Sequence, residues 1–362
     1  MHVPSALSRT YFAELDGLRG FAILAVLIGH ISINTPVWKL GLGNIGVEIF
    51  FVLSGFLITT LLLKEKLKSG GVSLRKFYIR RALRILPVAY LFLTVLLLLN
   101  FIFKLKLSSL SFITAALFIK NFNLNYENEW LNGHFWTLAV EEQFYLIFPV
   151  VLIYSLKNYI RVAFAIVLLV PVFYYLTFNN IGLFYSNSVI HKASLLFINL
   201  FQRGTASILT GSLLSVCMFK KLIPAQMKYH RVFSLLLLVF GICFRMYSTD
   251  LIGNEYVSSI IFSLIIALVI FFVMTSPRDF LNISLRHPWL VKMGILSYSI
   301  YIWQQIFLYK QPWGNSFKYA DSLLFNIPML ILAVHVSYYY FESRFLKLKT
   351  KFKQDYTQID KY

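Results

Sequence analysis

The chain reads as an all-α, polytopic membrane protein with about ten transmembrane helices and both termini cytoplasmic. Three observations predict this. The 362 residues are 58% hydrophobic, 17% aromatic and only 14% charged, with a mean hydropathy of +0.70, whereas a soluble globular chain is about 25% charged. Apolar stretches of about 20 residues, enough to cross a bilayer, recur at roughly 18–36, 45–63, 85–103, 138–156, 162–178, 195–219, 232–248, 257–274, 290–309 and 322–340. Lysines and arginines then segregate. Arg9, the loop from Lys64 to Arg84, Lys157 and Arg161, the cluster from Lys220 to Arg231, Arg278, Arg286, Lys292 and the basic tail hold 24 of the 34, all on one side of ten spans. The positive-inside rule makes that side cytoplasmic.

A further apolar stretch at 110–120 is too short to span and reads as interfacial or re-entrant. Counting it as an eleventh crossing would invert every later loop and destroy the charge bias. In a soluble chain the net charge of +19 would suggest nucleic acid. Here it is explained by topogenic loops, so no nucleic-acid partner is expected. Cys217 and Cys243 both lie in apolar runs, which supports neither a disulfide framework nor a metal site. Glu14 and Asp16 precede the first apolar stretch without a cleavage pattern, so no cleavable signal peptide is expected. There is no clear repeat or linker. The organisation is one membrane domain over 1–345 and a short basic cytoplasmic tail over 346–362.

The first span carries Arg19 and His30, eleven residues apart. At about 100° per residue they share one helix face, about 16 Å apart along the axis. Arg19 reads either as a snorkelling anchor or as the entrance of a polar path, and His30 either as a packed histidine or as a deeper point on that path. In the second span Ser54-Gly55 forms a small surface suited to close helix approach, which assigns both to packing, and Glu48 sits at the outer edge as a solvated carboxylate. Gly70-Gly71 marks a turn in the basic loop. At the start of the third span Arg81 and Arg84 share a face at i and i+3, with Arg80 one turn before Arg84. Such a fork suits either phosphate oxygens or anionic lipid headgroups.

The fourth span opens on His134-Phe135-Trp136-Thr137-Leu138-Ala139-Val140-Glu141-Glu142-Gln143-Phe144-Tyr145. Ionisable residues entering a membrane span mark a candidate functional site. Trp136 reads as an interfacial anchor. Glu141 and Glu142 point about 100° apart and therefore expect different partners, while Glu142 and Tyr145 share a face. Arg203, inside the sixth span, is a candidate counter-charge. The ninth span runs Ser297-Tyr298-Ser299-Ile300-Tyr301-Ile302-Trp303-Gln304-Gln305, polar and aromatic enough to line a cavity. His335 in the tenth reads as a packed core histidine.

Together these stretches resemble the acyltransferase-3 family of bacterial integral-membrane O-acyltransferases over most of the chain. Arg19 and His30 match the family's spacing of a basic residue and a histidine. Gly46 to Ile58 resembles its second-span signature, and Arg81 with Arg84 its RxxR motif. His134, Trp136 and Leu138 to Tyr145 resemble its HxWSLAVEEQFY box with Thr137 for serine, Ser297 to Trp303 its SYSIYLWH stretch, and Tyr340 to Arg344 its span-ten ending. Two positions depart: Gln304 stands where the family usually has histidine, and Thr205 and Ala206 stand where an acid follows the Arg203 position. The chain resembles the stand-alone form, without an SGNH hydrolase-like domain.

The resemblance implies a multi-pass enzyme of the bacterial cytoplasmic (inner) membrane, embedded in membrane lipids. It would take an acyl group, most often acetyl from acetyl-CoA or another acyl-CoA, to a hydroxyl of a surface or lipid-linked glycan, with no metal. A separate extracytoplasmic partner protein is a further implied candidate. Arg81, Arg84 and Arg19 are expected at the CoA phosphates and His30 at the acceptor hydroxyl as general base. Glu142 is expected to hold the imidazole, with Glu141, His134, Trp136, Tyr145 and Ser54 in support. Covalent transfer through an acyl-His30 is the alternative within this class. The alternative outside it is a secondary transporter or glycan flippase with His30 and Glu142 as a proton relay.

Overall fold

A computed structural model describes residues 3–122, 130–201, 203–224, 231–276, 278–314 and 316–352. In chain order the helices are α1 (Ala13–Ile31), α2 (Leu42–Ser69), α3 (Leu74–Phe103), α4 (Ser109–Ala116), α5 (Trp130–Gly133), α6 (Phe135–Tyr154), α7 (Leu156–Phe178) and α8 (Leu183–Ser186). They continue with α9 (Ser188–Leu200), α10 (Arg203–Phe219), α11 (Phe233–Ile252), α12 (Glu255–Thr275), α13 (Phe280–Leu285), α14 (Pro288–Leu308), α15 (Leu323–Val336) and α16 (Ser343–Thr350). A short 3-10 turn, Pro36–Leu40, precedes α2, and a π-helical turn, Ser337–Glu342, joins α15 to α16. No strand occurs among the described residues.

Short polar side chains open the helices by accepting otherwise unpaired backbone N–H groups. Ser73 accepts from Lys76 N at 3.3 Å, Ser155 from Asn158 N at 3.2 Å, and Asn254 from Tyr256 and Val257 N at 3.0 and 3.1 Å. Gly70, at φ +71°, closes α2 at the expected turn.

Six helices among the described residues are long and apolar enough to cross a membrane: Pro36–Ser69, Leu74–Phe103, Trp130–Tyr154, Leu156–Phe178, Glu255–Thr275 and Leu323–Thr350. The other four expected spans are helical but differ in form. The stretch 195–219 is two helices, α9 and α10, separated after Leu200 where Phe201 leaves helical geometry (φ −111°, ψ 51°). The stretch 232–248 lies in α11. The remaining two, α1 and α14, have 19 and 21 residues and carry the polar residues described below. Outward-facing side chains such as Phe101, Leu168, Leu236 and Leu324 are exposed, as expected of a surface that meets hydrocarbon rather than water. The 110–120 stretch forms the short α4, after which Lys120 turns inward and donates to Asn132 Oδ1 at 2.6 Å and to Ser111.

The centre is built on α1 and α2. A side chain at Gly55 would run into the Ile208 backbone of α10, and one at Gly211 into the Val52 backbone of α2, so these glycines set how closely the two helices approach. Thr59 to Ser212 at 2.5 Å and Thr60 to Ser215 at 2.8 Å lace the same contact, each worth about 0.6 kcal/mol by the average for membrane helices.

Glu48 departs from expectation. It is 1% exposed and takes a forked bond from Arg245 of α11, at 2.8 to 3.2 Å, instead of meeting solvent. An arginine in the middle of an apolar helix requires a buried acceptor, and Glu48 supplies it.

One face gathers the chain's basic segments. Lys64 donates to the Arg9 carbonyl at 2.7 Å, Arg286 and Arg9 both pair with buried Glu14, Lys66 donates to the Ile153 carbonyl at 3.0 Å, and Arg80 bridges Glu65 and the Phe352 carbonyl, both at 2.9 Å.

Candidate active site

A cavity of about 90 Å³ lies where α1, α2, α3, α6 and α14 meet. Its polar lining is Arg19, Ser54, Arg81, Arg84, Thr137, Glu141, Tyr145, Ser297, Tyr298 and Tyr301, closed by Val47, Phe50, Phe51, Ile85 and Leu138. Helical spacing explains the convergence. Arg81 and Arg84 project from one face of α3, Glu141 and Tyr145 stand at i and i+4 on α6, and Ser297 and Tyr301 stand at i and i+4 on α14. The Arg81 guanidinium lies over the Tyr145 ring at 5.1 Å, and the Tyr145 hydroxyl is bonded to Ser54. Arg19 reaches Asp16 at 3.5 Å. Among the described residues neither Arg81 nor Arg84 closes an ion pair. Three guanidiniums facing one carboxylate leave net positive charge, suited to a polyanionic ligand.

Above this cation layer lies a histidine layer. His30 Nδ1 is 2.7 Å from Gln304 Oε1. The His30 ring meets the edge of Trp130 at 5.0 Å, and Trp38 lies against it at 6.5 Å. His134 Nδ1 is 2.5 Å from Gln305 Oε1, which also accepts the His134 backbone N–H at 3.2 Å. A backbone N–H only donates, so that oxygen is an acceptor and His134 carries its proton on Nδ1. Trp130 Nε1 donates to the Gln305 carbonyl at 2.9 Å. The two layers meet at Tyr301, which lines the cavity, bonds Thr137 at 2.7 Å and stands edge-on to the His134 ring at 5.6 Å.

The structure thus brings Arg19, Arg81, Arg84, Glu141, Tyr145 and Ser54 to one cavity and His30 and His134 to the layer above. Three expectations change. The partner of His30 is Gln304, not Glu142. Because α6 enters at His134 and runs back toward the arginines, its carboxylates lie about 10–12 Å further along its axis than His134. Glu141 is therefore at the level of the cations, and Glu142 lies outside the cavity lining with a buried Oε1 that has no hydrogen-bond partner among the described residues. Ser54 is a polar member of the cavity rather than a packing residue. Trp136 packs its ring on Phe51 at 6.0 Å. The Arg203 side chain lies outside the described residues.

Sequence reasoning missed Gln305 and Tyr301 as individual residues, and Trp38 and Trp130 altogether. Only the polar run Ser297–Gln305 signalled the first two. No group of three or more His, Cys, Asp or Glu able to hold a metal occurs among the described residues.

A family model described as "Acyltransferase domain" matches residues 12–342. The chain is 30% identical over 375 residues to "Putative O-acetyltransferase SACOL0978" of Staphylococcus aureus (strain COL), covering 93% of this chain and 58% of the relative. It is 36% identical over 163 residues to "O-acetyltransferase OatA" of Staphylococcus aureus (strain NCTC 8325 / PS 47), covering 42% of this chain and 26% of that protein. The chain thus spans little more than half the length of the first of these relatives. No solved structure matches.

Proposed function

The chain belongs to the acyltransferase-3 family, and from that premise we propose that it is an integral-membrane O-acyltransferase using cytoplasmic acyl-CoA, most simply acetyl-CoA, to acylate a hydroxyl of a surface or lipid-linked glycan. The observation that carries this reading is the stacking of an arginine-lined cavity beneath a pair of positioned histidines. An acyl-CoA is polyanionic at one end and reactive at the other. Arg81, Arg84 and Arg19 suit its phosphates, while the reactive layer at His30 lies about 16 Å further along α1, a distance for the pantetheine arm to cover. At about 90 Å³ the arginine-lined cavity takes only the phosphate-bearing part of the donor, so the rest of the nucleotide stays outside it on this reading.

His30 is assigned as general base. With Nδ1–H donated to Gln304, Nε2 accepts the proton of the acceptor hydroxyl as its oxygen attacks the thioester carbonyl carbon. The C–S bond breaks, the ester forms, and the thiolate takes a proton, in the simplest balance the one held by His30. His134, Glu141, Tyr145 and Ser54 shape the path, and Glu142 acts from outside the cavity lining. Covalent passage through Nε2 of His30 satisfies the same balance in two steps.

The topology proposed is ten crossings, counting α9 and α10 as one, with both termini in the cytoplasm of the bacterial inner membrane. The contacts joining Arg9, the 64–80 loop, Ile153, Arg286 and Phe352 support a common face for these segments, and their charge supports its being cytoplasmic.

The test is mass spectrometry of surface glycans from a strain lacking the gene, complemented with wild type or His30→Ala. The acyl mass increment should return with wild type alone. Return of the increment with both would remove His30 from the chemistry, and its persistence in the strain lacking the gene would remove the glycan acceptor.

A further inference from the structure

A second cavity, of about 580 Å³, runs between α1, α14 and α15, away from the site above. Its two ends differ. By their positions along the helices, Trp289 and Lys292 at the start of α14 and His335 and Tyr339 at and after the end of α15 fall toward one end of the lining, and the apolar Ile31, Leu308 and Ile327 toward the other. The polar end follows from local structure. Lys292 is in the second turn of α14, and His335 is near the last residue of α15, so the antiparallel pair brings both to one level. The chain then widens into the π-helical turn Ser337–Glu342. Such turns redirect side chains and recur at functional sites. Here Tyr339 is presented to the groove, against the His335 ring at 4.6 Å. Among the described residues Lys292 closes no ion pair.

This pattern selects an occupant with a negatively charged head and one long apolar chain. From Lys292 to Leu308 the groove follows about 24 Å of helix, more than the ~15 Å depth of one leaflet, so an acyl chain fits lengthwise. A prenyl-linked glycan whose head sat beside His30 would put its polar part at the Ile31–Leu308–Ile327 end, where the lining has no donor. We propose that this groove is a specific site for one anionic phospholipid, its phosphate held by Lys292 with the Tyr339 hydroxyl donating. Basic pockets between membrane helices on the positively charged side take such headgroups. The site is independent of acyl transfer, although its walls α1 and α14 carry His30 and Gln304.

The test uses the full chain purified in detergent, delipidated, and offered phosphatidylglycerol or phosphatidylcholine, with native mass spectrometry as the readout. Wild type should retain one phosphatidylglycerol and little phosphatidylcholine. Lys292→Glu should lower phosphatidylglycerol retention at least about 10-fold, the ~1.4 kcal/mol equivalent of losing a charge-assisted contact. Leu330→Trp, which fills the apolar floor without altering charge, should lower it as well. Lys292→Gln serves where the glutamate variant does not fold. Equal retention of the two lipids by wild type would overturn the proposal, as would unchanged phosphatidylglycerol retention in the charge and floor variants. None of these readouts depends on transferase activity.

Discussion

Gln304 of α14 is bonded to the His30 ring of α1 through Nδ1, at 2.7 Å, at the position where the family resemblance leads one to expect histidine. An amide can accept from Nδ1–H and so leave Nε2 as the basic nitrogen, without adding a negative charge to the layer. Replacing it tests whether that bond orients the base. Gln304→Leu should lower kcat about 3- to 10-fold, the equivalent of one neutral hydrogen bond at ~0.5–1.5 kcal/mol, and leave KM for acyl-CoA unchanged. Gln304→His, able to make the same bond, should recover most of the rate. Steady-state kinetics in membranes decides it, and a change confined to KM would place Gln304 on the donor path instead.

Arg81 and Arg84 supply the sharpest donor-side prediction. Each alanine variant should weaken acyl-CoA binding by about 10- to 100-fold, since a charge-assisted hydrogen bond contributes ~1.5–3 kcal/mol. Lysine should restore only part, because it cannot fork across two oxygens. Isothermal titration with a non-hydrolysable acyl-CoA would show it. Unaltered affinity in both variants would return the pair to the lipid-headgroup reading.

The two glutamates should separate. Glu141 faces the three cations and Glu142 does not line the cavity. Glu141→Gln should therefore change acyl-CoA affinity, whereas Glu142→Gln should leave it intact and lower transfer alone. Matching binding curves for Glu141→Gln and wild type would contradict the cavity's role as the donor site.

How much of this was legible in the sequence depended on whether one helix held the answer. The i, i+3 pair Arg81–Arg84 and the shared face of Arg19 and His30 follow from helical periodicity, and all of them reach the site. The partner of His30 does not follow, because 274 residues separate it from Gln304 and only the packing of α1 on α14 joins them. The direction of α6 mattered equally. Read along the chain, the box suggests that its carboxylates accompany His30, but in space its His134 end does so while Glu141 sits with the arginines. Glu48 was misplaced for the same reason, since its cation comes from a helix almost 200 residues later. The break after Leu200 did have a local signal, the polar, glycine-containing run Gln202-Arg203-Gly204-Thr205 around the start of α10, but within one span it reads as a counter-charge.

That buried pair yields a stability prediction. Arg245→Ala leaves the Glu48 carboxylate buried without its fork and should destabilise the protein by about 3–5 kcal/mol, read as a lower unfolding temperature in detergent. The double variant Glu48→Leu/Arg245→Leu removes both charges and should recover most of the loss, because two well-packed apolar residues carry no desolvation cost. If the double variant is as unstable as the sum of its single changes, the pair is not acting as a coupled unit.

Tyr301 separates the cation cavity from the histidine layer, and its ring and hydroxyl can be tested apart. Tyr301→Phe keeps the ring against His134 and the cavity wall but loses the 2.7 Å bond to Thr137. Its expected effect is small, at most about 10-fold in transfer, from one hydrogen bond of ~0.5–1.5 kcal/mol. Tyr301→Ala removes the wall itself and, on the proposed thioester path, would admit water, whose exclusion is what prevents hydrolysis of reactive acyl groups. The alanine variant should therefore release free CoA in the absence of acceptor, with hydrolysis rising relative to transfer, while the phenylalanine variant stays coupled. Thiol release measured with and without acceptor distinguishes them. Coupled turnover in Tyr301→Ala would mean that the barrier between the layers lies elsewhere, and Thr137, which also donates to the His134 carbonyl at 2.8 Å, would be the next residue to change.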